Sequence, residues 1–178
     1  MSQPYHQEIQ PRKQVSKPVN EMSSVISKVV GSTPPKLNGK PSLELLKEML
    51  AIMRALQTSH HTAHWQASEY QLHLLFQRLY ESLDDEIDTL GEKMVGLFGP
   101  EAVNASDSMN RKKRWIDGWN SGKPLENAIA AEKDFQATVK YTYETLKTNG
   151  ELTLGMDDFL MTVANNHETN LYLLTRYV

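Results

Sequence analysis

The chain has 178 residues, a formal net charge of -3 and no cysteine. That length suits one domain with an adequate core. The absent thiols exclude a disulfide framework and a thiolate metal site, and no apolar run approaches the roughly 20 residues of a membrane span. The opening MSQPYHQEIQPRKQ lacks the apolar stretch of a secretory signal, so the expectation is a cytoplasmic protein.

Residues 1–41 differ in character from the rest. They carry Arg12, Lys13, Lys17, Lys28, Lys36 and Lys40 against Glu8 and Glu21, a surplus of four positive charges. The remainder therefore holds seven net negative charges. Pro4, Pro11, Pro18, Pro34, Pro35 and Pro41 oppose regular structure, and only VNEMSSVISKVV (19–30) has helical spacing of its apolar residues. The expectation is a mostly extended, flexible basic arm. A basic arm on an acidic body is a pattern for nucleic-acid contact, and a solvated leader explains it equally well.

The first long helix is predicted to start at Ser42 as N-cap and to run to about Ala67, with Leu45, Leu46, Met49, Ile52, Met53 and Leu56 as its apolar stripe. Its last turns carry His60, His61 and His64. His60 reads as part of a solvated face. The second helix is predicted over about Tyr70 to Phe98, with Leu72, Leu75, Phe76, Leu79, Leu83, Ile87, Leu90 and Met94 inward and Gly99-Pro100 as its stop. The short connection makes these two helices an antiparallel hairpin. Asp84, Asp85 and Glu86 read as solvated, whereas Asp88 and Glu92 border the apolar stripe.

Residues 100–123 form the irregular middle. SDSMNRKKRWIDGWN suggests one short helix whose Arg111, Lys112, Lys113 and Arg114 pair with acidic residues of the body, with Trp115 and Trp119 as packing anchors. A third long helix follows Pro124 and ends near Thr148 at Asn149-Gly150. A fourth covers about Met156 to Tyr177, with Phe159, Leu160, Val163, Leu171 and Leu174 inward; His167-Glu168 reads as a surface ion pair, with a metal-ligand role as the alternative. Four long helices with a long crossover carrying a short helix make an all-α, ferritin-like four-helix bundle over 42–178.

Chemistry concentrates in residues 60–92. Histidines 60, 61, 64 and 73 precede Glu81, Asp84, Asp85, Glu86, Asp88 and Glu92. Imidazole and carboxylate together suit a divalent first-row metal such as iron. His61 and His64 share a helical face, as do Asp88 and Glu92. His73 and Asp88, however, are fifteen residues apart on one helix, about 22 Å at 1.5 Å per residue. They cannot hold one ion within a single chain. Either two separate sites exist, or one site is built from two chains across a two-fold axis.

The pair His64-Trp65, then His73, then Asp88-x-x-x-Glu92 resembles the signature of Dps-like miniferritins, the iron-oxidising and DNA-protecting branch of the ferritin superfamily. The resemblance implies a dodecameric shell of identical chains. It also implies a ferroxidase site between subunits, where His64 and His73 of one chain face Asp88 and Glu92 of another. Iron would be the metal, peroxide or oxygen the oxidant, and the arm residues Arg12, Lys13, Lys17, Lys28, Lys36 and Lys40 the non-specific DNA contact, with association to the nucleoid.

Two departures stand out. His64 and His73 are nine residues apart where the family usually has twelve, so the turn is trimmed and His61 becomes the alternative ligand; a trimmed turn is similar to that of divergent phage-encoded members. Gln77 stands where the family often has an aspartate. The competing expectation is therefore a DNA-binding or shell-forming protein of the same fold with a degenerate, non-catalytic site. A site inside one bundle would want Glu-x-x-His motifs on two helices, and neither the second nor the fourth helix has one.

Overall fold

The structure is a computed structural model that describes residues 41–178. The arm, with Arg12, Lys13, Lys17, Lys28, Lys36 and Lys40, lies outside the described residues. In chain order the elements are α1 (Pro41–Gln66), α2 (Tyr70–Glu81), α3 (Leu83–Phe98), a 3-10 turn (Pro100–Ala102), α4 (Ala105–Gly118), α5 (Pro124–Thr148), α6 (Leu154–Leu174) and a closing 3-10 turn (Thr175–Tyr177). No strand occurs among the described residues, and no helix there is long and apolar enough to cross a membrane.

α1 is the central element. It packs against α2, α3, α4 and α5, and α5 packs in turn against α6. Leu46, Met49, Ile52, Met53 and Leu56 of α1 meet Leu83, Leu90 and Met94 of α3, Phe135 and Val139 of α5, and Leu160 and Val163 of α6 in one buried core. Burial of each such side chain contributes about 1.5–3 kcal/mol. A smaller cluster at the other end joins Ala63, Phe76, Leu79, Ala128 and Leu174.

Three local features depart from the sequence reading. Ser42 is not a cap. It lies inside the first turn of α1, fully buried, where its hydroxyl bonds the Glu151 carboxylate and accepts from Asn149 Nδ2 at 3.2 Å. It therefore pins the start of α1 to the α5–α6 loop. The second predicted helix is broken at Ser82, whose Oγ donates to Leu79 O at 3.0 Å; a serine hydroxyl competing for helix carbonyls loosens the turn. The fourth ends at Leu174, and the chain finishes in a 3-10 turn. Elsewhere the punctuation acts as read. Gly99, at φ +88°, ends α3, and Gly150, at φ +68°, follows the Asn149 cap of α5; both need the freedom of a residue without Cβ.

α4 occupies the crossover. Asn104 caps it, accepting from Asp107 N at 3.0 Å. Two of its four basic residues face the body: Arg111 reaches Glu44 at 2.7 Å and Glu48, as well as Asp107 of its own helix at 2.8 Å, and Arg114 reaches Glu48 at 3.0 Å. Lys113 is exposed and pairs with Asp117 of the same helix, and Lys112 lies near Arg54, so the expected pairing of these two lysines with the body is not found among the described residues. Burial raises the Glu44 pKa, but Lys47 and Arg111 outweigh it and hold the carboxyl below its ordinary value. Trp115 and Trp119 are buried anchors, their rings 5.8 Å apart.

Candidate metal centre

His64 ends α1 and His73 opens α2, and the trimmed turn brings them face to face. Their rings stack with centroids 3.7 Å apart. Nδ1 of His64 donates to the backbone carbonyl of His73 at 2.9 Å, and Nδ1 of His73 donates to the carbonyl of His64 at 2.9 Å. A carbonyl only accepts, so each Nδ1 must carry the proton. Nε2 is then the nitrogen each ring has left to offer a metal, with the carbonyl fixing ring orientation.

The third histidine is placed differently. His61 lies between Trp65, 4.2 Å away, and Tyr80 of α2, 4.1 Å away, with its centroid 6.2 Å from that of His64. Gln77, one turn beyond His73, donates to Glu81 at 2.8 Å.

Asp88 and Glu92 lie on the exposed side of α3, beyond the Ser82 break. Neither has a hydrogen bond or ion pair among the described residues. Both line a groove of about 930 Å³ between α1, α3 and α4, with Leu50, Arg54, Val95 and Met109 among its walls. The structure thus gathers the four sequence-identified residues into two pairs rather than one cluster. Among the described residues no three histidine or carboxylate side chains are placed to hold one metal ion within the chain.

A second polar group lies in the bundle interior, and three of its members, His60, Glu86 and His167, are ones the sequence reading assigned to the surface. His60 is fully buried rather than solvated, and His167 is buried and bonded to two carboxylates other than Glu168. Glu132 joins them: its carboxylate takes His60 Nε2 at 3.1 Å and His167 Nδ1 at 2.6 Å. His167 Nε2 meets Glu86 at 3.0 Å, and Asn166 Nδ2 donates to Glu86 at 2.9 Å. Glu86 is therefore a network member, in contrast to the exposed Asp84 and Asp85. The chain of contacts draws His60 from α1, Glu86 from α3, Glu132 from α5, and both Asn166 and His167 from α6.

The electrostatics follow from pairing. Burial alone would lower the His167 pKa, but Glu132 and Glu86 outweigh it and raise it to about 9. Burial would raise Glu132, yet His167 and His60 hold it below its ordinary value. The signal for this group was in the sequence. Residues 46, 49, 53, 56, 60 and 63 step by three and four along α1, and His60 falls on that seam; Glu132 and His167 fall on the seams of α5 and α6. A polar residue on a seam is buried by its register whatever its type.

No family model matches the chain. A protein of enterobacteria phage T4, described as an uncharacterized 14.6 kDa protein in the mobD-ri intergenic region, is 32% identical over 92 residues, spanning 47% of this chain and 70% of the relative. Among solved structures, Dps from Thermosynechococcus elongatus aligns with a TM-score of 0.63 at 18% identity, over 88% of this chain and 94% of that one. At that identity the likeness establishes the fold. The chain thus belongs to one family with the T4 intergenic protein, and it folds as the ferritin-like bundle of Dps.

Proposed function

We propose that the protein is a Dps-like miniferritin that oxidises Fe(II) with peroxide or oxygen at sites shared between two subunits and stores the ferric product within a shell of identical chains. The observation that carries this reading is the reciprocal clamp of His64 and His73, which occupies both Nδ1 atoms and leaves both Nε2 atoms available. The donor set fits iron as substrate: two imidazoles and two carboxylates supply nitrogen and oxygen ligands to a first-row divalent ion. Asp88 and Glu92 have no partner of their own among the described residues, and they lie too far along the α2–α3 rod to meet the histidines of the same chain. A two-fold pairing of chains, histidine end against acidic groove, would complete two identical sites.

In this reading the chain binds and orients. The backbone carbonyls set the imidazole tautomers, and the carboxylates neutralise the charge that builds as iron is oxidised. A dodecameric shell would hold the mineral, and the arm residues from Arg12 to Lys40 would hold DNA through its phosphates with steep salt dependence. Such a protein would work in the cytoplasm, on the nucleoid where DNA is bound. A second reading, a shell-forming or DNA-binding protein without catalysis, draws on Gln77, whose amide is spent on Glu81 and adds no carboxylate near the pair. The deciding experiment is Fe(II) oxidation with and without hydrogen peroxide, on protein whose mass is known from light scattering. Rapid peroxide-dependent oxidation by a large shell, lost in His73→Ala and in Asp88→Ala, is expected; undiminished oxidation in both variants would reject the assigned ligands.

A further inference from the structure

The groove of about 930 Å³ between α1, α3 and α4 has two unlike sides. Asp84, Asp88 and Glu92 stand on its α3 wall, where Gln57 bonds Asp84. Arg54 of α1 and Ser108 of α4 stand on the other walls. Lys112, one helical turn beyond Ser108, shares its face of α4 and lies close enough to Arg54 to feel its charge. The neighbouring cations of α4 are neutralised: Arg111 and Arg114 by Glu44 and Glu48, Lys113 by Asp117. The side chains of Arg54 and Lys112 form no ion pair or hydrogen bond among the described residues. A lysine partly withdrawn from water beside a second cation is disfavoured in its charged form, and no carboxylate offsets that here. Ser108 adds a hydroxyl oxygen that is buried and has no hydrogen-bond partner. A buried hydroxyl left unpaired costs stability until a ligand or water completes it.

We propose that the α1–α4 side of this groove is an oxyanion site, which takes the phosphate group of a small molecule between Arg54 and Lys112 with the Ser108 hydroxyl donating to one of its oxygens. The chemistry suits all three groups. A phosphate dianion neutralises both cations, and the planar fork of Arg54 offers it two parallel hydrogen bonds. Its remaining oxygens accept from the Lys112 ammonium and from the hydroxyl that has no other acceptor. Asn104, Ala105 and Ser108, from the cap and first turn of α4, line the same wall, so the helix dipole adds to the attraction. The α3 carboxylates repel an anion and confine it to this side. The groove is much larger than phosphate alone, and Leu50, Val95, Val103 and Met109 give it apolar walls. The phosphate therefore comes from one of two sources: the free ion, or a monoester whose organic part lies along those walls. The site does not depend on the iron reading, since none of its three groups is an assigned iron ligand.

Isothermal titration calorimetry of the full chain tests the site, with inorganic phosphate in one arm and phenyl phosphate in the other, each against chloride at equal ionic strength. Saturable binding is expected in the parent protein. Arg54→Gln and Lys112→Gln should each weaken it by about tenfold or more, and Ser108→Ala a few-fold. Lys113→Gln, at a lysine paired with Asp117 of its own helix, should leave binding unchanged. Circular dichroism checks that each variant folds. Thermal unfolding gives an independent readout: phosphate should raise the midpoint of the parent protein and leave that of Lys112→Gln in place. Tighter binding of the phenyl ester assigns a monoester, and equal or weaker binding of the ester assigns the free ion. No saturable binding in either arm, or binding that survives intact in both Arg54→Gln and Lys112→Gln, would overturn the site.

Discussion

Glu132 and His167 meet at 2.6 Å in the interior of the bundle, one from α5 and one from α6, with neither side chain in contact with solvent to any useful degree. Removing Glu132 leaves the buried His60 without a carboxylate and His167 with Glu86 alone; breaking a buried pair of this kind costs up to about 3–5 kcal/mol. Glu132→Ala should lower stability by that order in denaturant unfolding, because His60 loses its carboxylate and His167 keeps only one. Glu132→Gln, which keeps the shape and one acceptor, should cost less.

The same pair sets a pH window. The folded His167 pKa is raised from 6.5 to about 9, so its contribution is fully present below 6.5 and is lost as pH rises through about 9. Glu132 is held below 4.5, so its contribution is present above 4.5 and is lost as pH falls through its depressed folded value. Unfolding midpoints measured across pH should form a plateau with an alkaline decline. His167→Gln should flatten that alkaline limb; an unchanged limb would assign it to another group.

Arg111 holds the crossover helix to α1 through Glu44 and Glu48. Hydrogen bonds to charged groups contribute about 1.5–3 kcal/mol each where partly buried, with solvent reducing the outer ones. Arg111→Met should destabilise the protein by about 1–3 kcal/mol and increase hydrogen exchange of α4 amides ahead of those in α1. Uniform exchange across both helices would show that α4 is held by Trp115 and Trp119 alone.

The shared-site reading makes a prediction that a one-chain site does not. His73→Ala and Asp88→Ala chains should each be inactive in iron oxidation. Denatured together and reassembled, random pairing makes half the interfaces mixed, and each mixed interface retains one intact site of two. Activity should return to about one quarter of the parent level. No recovery from a reassembled mixture would exclude ligands drawn from two chains.

Much of the fold was legible because helices announce themselves by register and punctuation. The bounds of α5, from Pro124 to Thr148, and the stop at Gly99 follow from residue type alone. The inward pairing of Arg111 and Arg114 was also legible, since the acidic body offered partners, but Lys112 and Lys113 do not share it: Lys113 pairs with Asp117 of its own helix and Lys112 lies near Arg54. His60, Glu86 and His167 were misread because polarity was weighed above position, although their spacing put two of them on apolar seams. The His64–His73 clamp was beyond reach of spacing arguments: it depends on two carbonyls brought together by a turn whose geometry only the folded chain defines. The Ser82 break likewise turns on one hydroxyl's choice of acceptor.

The reciprocal clamp also changes what the histidines can testify to in related chains. Each imidazole latches the other's backbone, so the pair closes the hairpin between α1 and α2 whether or not iron ever binds. A lineage that abandoned oxidation would still be under pressure to keep both rings. Asp88 and Glu92 carry no such structural duty among the described residues. Loss of chemistry should therefore appear first as drift at these two carboxylates, and under the iron reading they, rather than the histidines, are the positions whose loss would mark a chain that no longer oxidises iron.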